Sequence, residues 1–259
     1  MNVEEILSAV ADGSLSLKKA ERLLRMNSIA EVGSIAKIDT GRSTRRGIPE
    51  IILAEGKLPE HVAKIARKML HEHNRVIISR VGKEHERAVR KAIPKANTRM
   101  NKLARTMVIS KGGLKSVTSK KISGRVAIIT AGTADIPIAE EAKVVLEEVG
   151  CKVLTSYDVG VAGIHRLFDS MRSVIESDVD VIIAVAGREG AMPSIIAGLV
   201  DIPIIAVPTS FSYGYGEKGI AALMSMLQAC SLGISTVNID SGIGAGVVAA
   251  LIAMRSSKR

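Results

Sequence analysis

Cys230, Glu189 and His165 are the residues whose types and settings could supply a nucleophile, a base and an acid near neutral pH. Glu189 stands in Ala186-Gly187-Arg188-Glu189-Gly190-Ala191-Met192-Pro193, just after a run of Val and Ile. A carboxylate between two glycines at a strand's carboxyl end is expected to be partly desolvated, which raises its pKa toward that of a general base. The plain alternative is a surface glutamate. Cys230 lies in Gln228-Ala229-Cys230-Ser231, where a helix should end, and a thiol beside polarising groups can ionise and attack an electrophile. A buried, unreactive cysteine is the usual fate. His165 and Arg166 close the stretch Asp158-Val159-Gly160-Val161-Ala162-Gly163-Ile164-His165-Arg166 and enter a helix. There His165 could polarise or protonate a substrate, and Arg166 could hold a carboxylate or phosphate in its planar fork. A lone histidine is more often structural.

Other stretches suit binding better than bond-making. In Thr130-Ala131-Gly132-Thr133-Ala134-Asp135, small residues let the backbone approach a ligand and free amides at a helix start favour phosphate. Asp135 could bind a ribose hydroxyl, although no GxGxxG is present and a tight turn capped by Asp135 is the alternative. The polar loop from Val207 to Gly216 contains Ser210, Phe211, Tyr213 and Tyr215 and could close over a flat ring or serve an interface. A third small-residue cluster runs from Asn238 through Asp240 to Gly246.

Positioning these residues requires strands that end where they begin. Apolar runs alternate with helical patterns five times: strands over 125–130, 152–157, 180–186, 204–207 and 235–238, and helices over 136–148, 164–175, 194–199, 217–228 and 244–254. Residues 124–259 therefore read as an α/β domain of three layers, a Rossmann-like parallel sheet covered on both faces, with ligands at the carboxyl ends of its strands. Residues 1–110 read as a helical hairpin over 3–26 followed by a smaller α/β lobe. That lobe has strands at 49–54, 75–79 and 104–110 and helices at 59–71 and 84–93, and a polar, basic linker spans 111–123.

The charge is uneven. Residues 1–122 hold 26 Lys and Arg against 12 Asp and Glu, while the whole chain carries a formal charge of +10. A basic lobe suits a phosphate-bearing ligand or an acidic surface, with a merely solvated face as the alternative. Nucleic acid ranks last as a partner, because aromatic residues make up only 2% of the chain and base stacking is poorly served. Two cysteines make neither a disulfide framework nor a zinc site, and Cys151 opens a strand pattern as a packing residue. No apolar run reaches the ~18 residues that a membrane span needs, and the first residues lack a signal-peptide pattern, so a cytoplasmic location without membrane partners is expected.

From about Asp39 to Ala253 the chain resembles the LarB family, whose C-terminal domain is similar to aminoimidazole ribonucleotide carboxylase or mutase, PurE. The marks are Arg42, Arg45 and Gly47-Ile48-Pro49-Glu50; Gly132-Thr133-Ala134-Asp135-Ile136-Pro137; Asp158 to Arg166; Ala186 to Gly190; Pro208-Thr209-Ser210; Cys230; and Asn238-Ile239-Asp240 with Gly242. The resemblance implies carboxylation of nicotinic acid adenine dinucleotide at ring carbon 5 and hydrolysis of its diphosphate. The products would be pyridinium-3,5-biscarboxylic acid mononucleotide and AMP, on the way to a nickel-pincer nucleotide cofactor. Carbon dioxide or bicarbonate would be co-substrate and magnesium the accompanying ion, its ligands unassigned. By the same resemblance Cys230 adds to ring carbon 4, Glu189 removes the carbon 5 proton and His165 assists. Gly132, Thr133, Ala134, Asp135, Asp158, Gly160, Arg166, Gly187 and Ser210 would bind substrate, and Arg42 and Arg45 its diphosphate or ring carboxylate. It also implies a homo-oligomer, an octamer in the family, for which the Gly-rich helix from Gly244 to Ala253 could pack closely against neighbours.

Purine carboxylases carry a catalytic histidine in the loop that here reads Gly187 to Pro193, and their Gln-Met-Pro is replaced by Gln228-Ala229-Cys230. Both changes point from purine chemistry to a thiol-dependent reaction. Departures from the LarB pattern are Arg188, where an apolar residue is usual, and Phe211-Ser212 before Tyr213-Gly214. The alternatives are an AMP or dinucleotide sensor without turnover and a PurE-like carboxylase or mutase acting on another nucleotide.

Overall fold

Runs of Val and Ile become buried strands, and the small-residue clusters that follow them become the loops at the strand ends. The computed structural model describes residues 3–26, 29–33, 35–39, 47–112 and 124–256. Arg42 and Arg45 lie outside these, as does most of the expected linker. The chain divides into two units: Met1–Arg99 with Met107–Leu114, and Met100–Thr106 with Lys115–Arg259. The boundary thus differs from the expected one in grouping Met100–Thr106 with the second unit.

The first unit opens with α1 (Val3–Ala11) and α2 (Leu17–Met26). They share a small core of Ile6, Leu15 and Ala20, and Ser16 Oγ accepts the Lys19 amide at 3.4 Å at the second helix start. An antiparallel hairpin follows, β1 (Ile29–Val32) and β2 (Ala36–Asp39), which the sequence pattern does not announce. Then come β3 (Ile51–Leu53), α3 (Pro59–Glu72), β4 (Arg75–Ser79), α4 (Lys83–Ala92), β5 (Asn97–Asn101), whose last two residues are grouped with the second unit, and β6 (Thr106–Ser110), whose first residue is. The sheet order is β3-β4-β6-β5, with every residue of β4 and β6 buried. α3 turns Val62, Ile65, Ala66 and Met69 inward and leaves Lys64, Arg67 and His71 exposed at helical spacing, so this helix carries its basic charge on its outer face.

The second unit holds β7 (Arg125–Thr130), α5 (Ile136–Val149), β8 (Lys152–Ser156), α6 (His165–Glu176) and β9 (Val181–Ala186). It continues with α7 (Met192–Ala197), β10 (Ile204–Pro208), α8 (Ile220–Leu227), β11 (Ile234–Thr236) and α9 (Gly242–Ser256). The five strands pair in parallel in the order β11-β10-β9-β7-β8. α5 and α9 cover one face, and α6, α7 and α8 cover the other, so the expected three-layer, Rossmann-like α/β domain is present. Alternate residues of each strand serve opposite layers: Ala127, Ile129, Ile182 and Ala184 join Leu167, Met171 and Ile196 in one core.

Two boundaries move for local reasons. α7 starts at Met192 because Pro193 occupies its first turn. α8 starts at Ile220, because Gly214–Gly219 forms a 3-10 turn and Gly219 adopts φ 95°. The small face of α9 is used inside the chain. A Cβ on Gly242 would stand 2.2 Å from the Ile138 carbonyl oxygen and one on Gly246 2.9 Å from the Ala142 carbonyl oxygen, so these two glycines let α9 pack closely on α5.

Candidate active site

The parallel order places β8 and β9 on opposite sides of β7, so the connections leaving β7 and β9 run to opposite faces and leave a crevice at their carboxyl ends. A cavity of about 370 Å³ lies there. Its walls come from the four loops after β7, β8, β9 and β10.

Asp135 ties three of those loops together. It follows β7 in a 3-10 turn, is only 4% exposed, and lines the cavity. Its Oδ2 accepts the Gly132 amide at 2.8 Å and its Oδ1 accepts the Thr209 hydroxyl at 2.6 Å from the β10 loop. The Gly187 amide, from the β9 loop, also donates to it. Burial raises the Asp135 pKa above the ordinary 3.8, the donors from Thr209 and Gly132 oppose that rise, and the Asp240 charge adds to it. Asp135, expected to meet a ribose hydroxyl or to cap a turn, closes its own turn on the Gly132 amide and braces the loops besides. Asp240 braces the next loop in the same way, accepting the Ser210 amide at 2.8 Å.

The β9 loop turns tightly, with the Gly190 amide donating to the Gly187 carbonyl at 3.0 Å. Both ends are pinned by close packing. A Cβ on Gly187 would fall 2.6 Å from Thr209 Oγ1, and one on Gly190, at φ 64°, would fall 2.7 Å from the Ala222 carbonyl oxygen of α8. Between them Arg188 and Glu189 line the cavity with exposed side chains. Glu189 is therefore at the expected place but is not the desolvated carboxylate that the flanking apolar run suggested.

Gly160 from the β8 loop and Arg166 from the first turn of α6 also line the cavity. Asp158 adopts φ 57° and its amide donates to Thr130 Oγ1 at 3.0 Å, which points its carboxylate toward Arg166, 3.1 Å from Nη1. Phe211 and Tyr213 supply flat walls from the β10 loop, and the Arg188 guanidinium carbon sits over the Tyr213 ring, 4.1 Å from its centroid. Among the sequence candidates, Gly132, Ala134, Asp135, Gly160, Arg166, Gly187 and Glu189 thus meet at one cavity.

Cys230, His165, Thr133, Asp158 and Ser210 are not among the residues lining it. His165 is exposed at the start of α6, and Thr133 is exposed in the 3-10 turn. Cys230 is exposed three residues beyond the end of α8. Its neighbour Ser231 donates to the Ser194 carbonyl at 2.8 Å, which ties the segment to α7, the helix whose first residue, Met192, lines the cavity. Cys151, in contrast, is buried, and burial followed by the charge of Asp180 pushes its thiol up to about 11, as suits a packing residue. Sequence reasoning assigned no site role to Thr209, Met192 or Arg188, although Thr209 and Tyr213 lie in the polar loop that follows β10 and Arg188 and Met192 in the stretch after β9 that carries Glu189.

Among the described residues no group of three or more His, Cys, Asp or Glu side chains could hold a metal ion. Among the same residues no helix is long and apolar enough to cross a membrane.

Two family profiles match in tandem. One, described as LarB/PurE-like N-terminal domain, covers residues 29–111, and the other, described as AIR carboxylase, covers residues 125–259. An uncharacterized protein of Methanocaldococcus jannaschii is 43% identical over 255 residues, 97% of each chain. The N5-carboxyaminoimidazole ribonucleotide mutase of Thermotoga maritima is 31% identical over 133 residues, 49% of this chain and 74% of its own. The corresponding mutase of M. jannaschii is 33% identical over 126 residues, 48% of this chain and 75% of its own. The second unit therefore has the architecture of a carboxylase-type enzyme, and with the N-terminal match ahead of it the chain belongs to the LarB family.

Proposed function

We propose that the protein carboxylates nicotinic acid adenine dinucleotide at ring carbon 5 and hydrolyses its diphosphate, yielding pyridinium-3,5-biscarboxylic acid mononucleotide and AMP. The observation that carries this reading is the cavity at the β7 and β9 ends, which Glu189 and Arg166 line together with the flat side chains Phe211 and Tyr213. A pyridinium ring is electron-poor and cannot attack carbon dioxide directly. In the proposed sequence the Cys230 thiolate forms a bond to ring carbon 4, and the displaced electron pair moves onto the ring nitrogen to leave an enamine. Carbon 5 then attacks carbon dioxide, forming the new carbon–carbon bond. Glu189 takes the carbon 5 proton, and expulsion of the thiolate restores the aromatic ring.

Cys230 must reach the ring for this chemistry, and in a single chain it stands outside the cavity wall. We place its productive position in a homo-oligomer. Around it Met224, Leu227 and Leu232 are 62%, 66% and 90% exposed, apolar surface suited to burial against a second copy. The test is incubation with the dinucleotide, carbon-13 bicarbonate and magnesium, followed by mass spectrometry and light scattering. Labelled biscarboxylic acid mononucleotide together with AMP is expected, lost in Cys230→Ser and in Glu189→Gln, from a protein larger than a monomer. Full turnover in Cys230→Ser would remove the covalent step, and full turnover in Glu189→Gln would remove the base.

A dinucleotide sensor without turnover is the second reading, favoured by the exposed position of Cys230. It predicts binding with no labelled product in any condition of the same assay.

A further inference from the structure

Two guanidinium groups line the cavity, and they are not equivalent. Arg166 is already paired, with Asp158 3.1 Å away. Arg188 has no carboxylate partner among the described residues, and its contact is with the face of the Tyr213 ring. A guanidinium held through its face keeps its N–H edge available, and that edge matches the two oxygens of a planar carboxylate.

The backbone at this position is also informative. Arg188 adopts φ 58°, a left-handed conformation that glycine takes freely and an arginine takes at a cost. The loop uses glycine on both sides, at Gly187 and Gly190, yet places a long cationic side chain at the strained position. Strain kept at a cavity wall is the kind of outlier from which a binding role is inferred. Because the turn is pinned at Gly187 against Thr209 and at Gly190 against Ala222, the Arg188 side chain leaves from a fixed point, one residue before Glu189. A group held by Arg188 is thereby held beside the proposed base.

We propose that Arg188, clamped on Tyr213, is a specificity residue that recognises the carboxylate on the pyridine ring and selects the pyridinecarboxylate form of the substrate over its amide. This rests on the function proposed above. It assigns the ring carboxylate to Arg188 and leaves Arg166, already neutralised by Asp158, for other parts of the ligand.

The experiment is calorimetric titration of wild type, Arg188→Leu, Arg188→Lys and Arg188→Gly with nicotinic acid adenine dinucleotide and with NAD, its amide counterpart. The wild type is expected to prefer the acid. Arg188→Leu should weaken the acid about tenfold to a hundredfold, the value of a charge-assisted hydrogen bond, and leave the amide within about twofold. Arg188→Lys, which keeps the charge but not the fork, should recover part of the loss. Arg188→Gly should show the same loss of preference together with a higher melting temperature, which separates recognition from folding. Equal weakening of acid and amide would overturn the assignment, as would an unchanged preference. A wild type that binds both without preference overturns it alone, and a wild type that binds neither overturns the proposed function with it.

Discussion

Thr209→Val removes one hydroxyl from the brace that joins the cavity loops and leaves the shape of the side chain almost intact. Thr209 is fully buried, and its hydroxyl donates to Asp135 Oδ1 at 2.6 Å. A hydrogen bond to a charged group contributes about 1.5–3 kcal/mol, and the gain from burying a methyl in place of the hydroxyl returns part of it. A net loss of about 2 kcal/mol at pH 8 follows, or about 4–8 °C in melting temperature for a domain of this size. The loss must also depend on pH. The folded-state pKa of Asp135 is raised above 3.8 by burial, so its contribution to stability is fully present below the unfolded pKa and is lost as pH rises through the folded one. Removing a donor that stabilises the charged form raises the folded pKa further, so the variant should lose stability more steeply as pH rises. At pH 4 the bond is nearer a neutral one, worth about 0.5–1.5 kcal/mol, and the deficit should shrink. Thermal denaturation at pH 4 and pH 8 measures both. Equal losses at the two pH values, or a shift under about 1 °C at pH 8, would refute the brace as an electrostatic device.

Other expectations test the remaining features. Gly190→Ala combines a left-handed backbone at φ 64° with a Cβ 2.7 Å from a backbone oxygen, and a loss of about 2–5 kcal/mol is expected in urea unfolding. Gly242→Ala should cost about 1–3 kcal/mol by driving α9 from α5, and a neutral result would show that the helices can separate freely. A thiol reagent at pH 8 should label Cys230 promptly and reach Cys151 only after unfolding, because one is exposed and the other is buried with its pKa pushed up to about 11. Prompt labelling of both in the native protein would contradict the burial of Cys151.

The parallel sheet was legible because its central strands are continuous apolar runs, Val181 to Ala186 and Ile204 to Val207, which only a doubly covered sheet can bury. Asn97–Asn101 was not legible, since Asn-Thr-Arg-Met-Asn carries no period and becomes a strand only by joining the edge of a sheet. The start of α8 was misplaced because the apolar pattern does not reveal the 3-10 turn that precedes Ile220. In the candidate site, the small-residue clusters marked the right loops, because backbone approach needs small residues whatever the ligand. Cys230 and His165 were harder to place: a residue just outside a helix end can face a cavity or solvent, and nothing in its own neighbourhood decides which. The bracing role of Asp135 was hidden for a different reason, because the hydroxyl that reveals it comes from another strand end.

The Asp135–Thr209 bond spans 74 positions, and that separation bears on how the cavity comes into being. Contacts between distant positions are made late, after the intervening chain has been ordered and its loop entropy lost. During synthesis, a chain that has emerged only as far as the loop after β9 has Asp135, Gly187 and Glu189 but no Thr209 to complete the brace. Such a partial chain can fold helices, pair strands and join the β7 and β9 loops through Asp135 and Gly187, yet the brace is complete only when β10 has been added. Assembly of the binding site therefore marks completion of the sheet, which makes ligand affinity a reporter of finished folding rather than of secondary structure content.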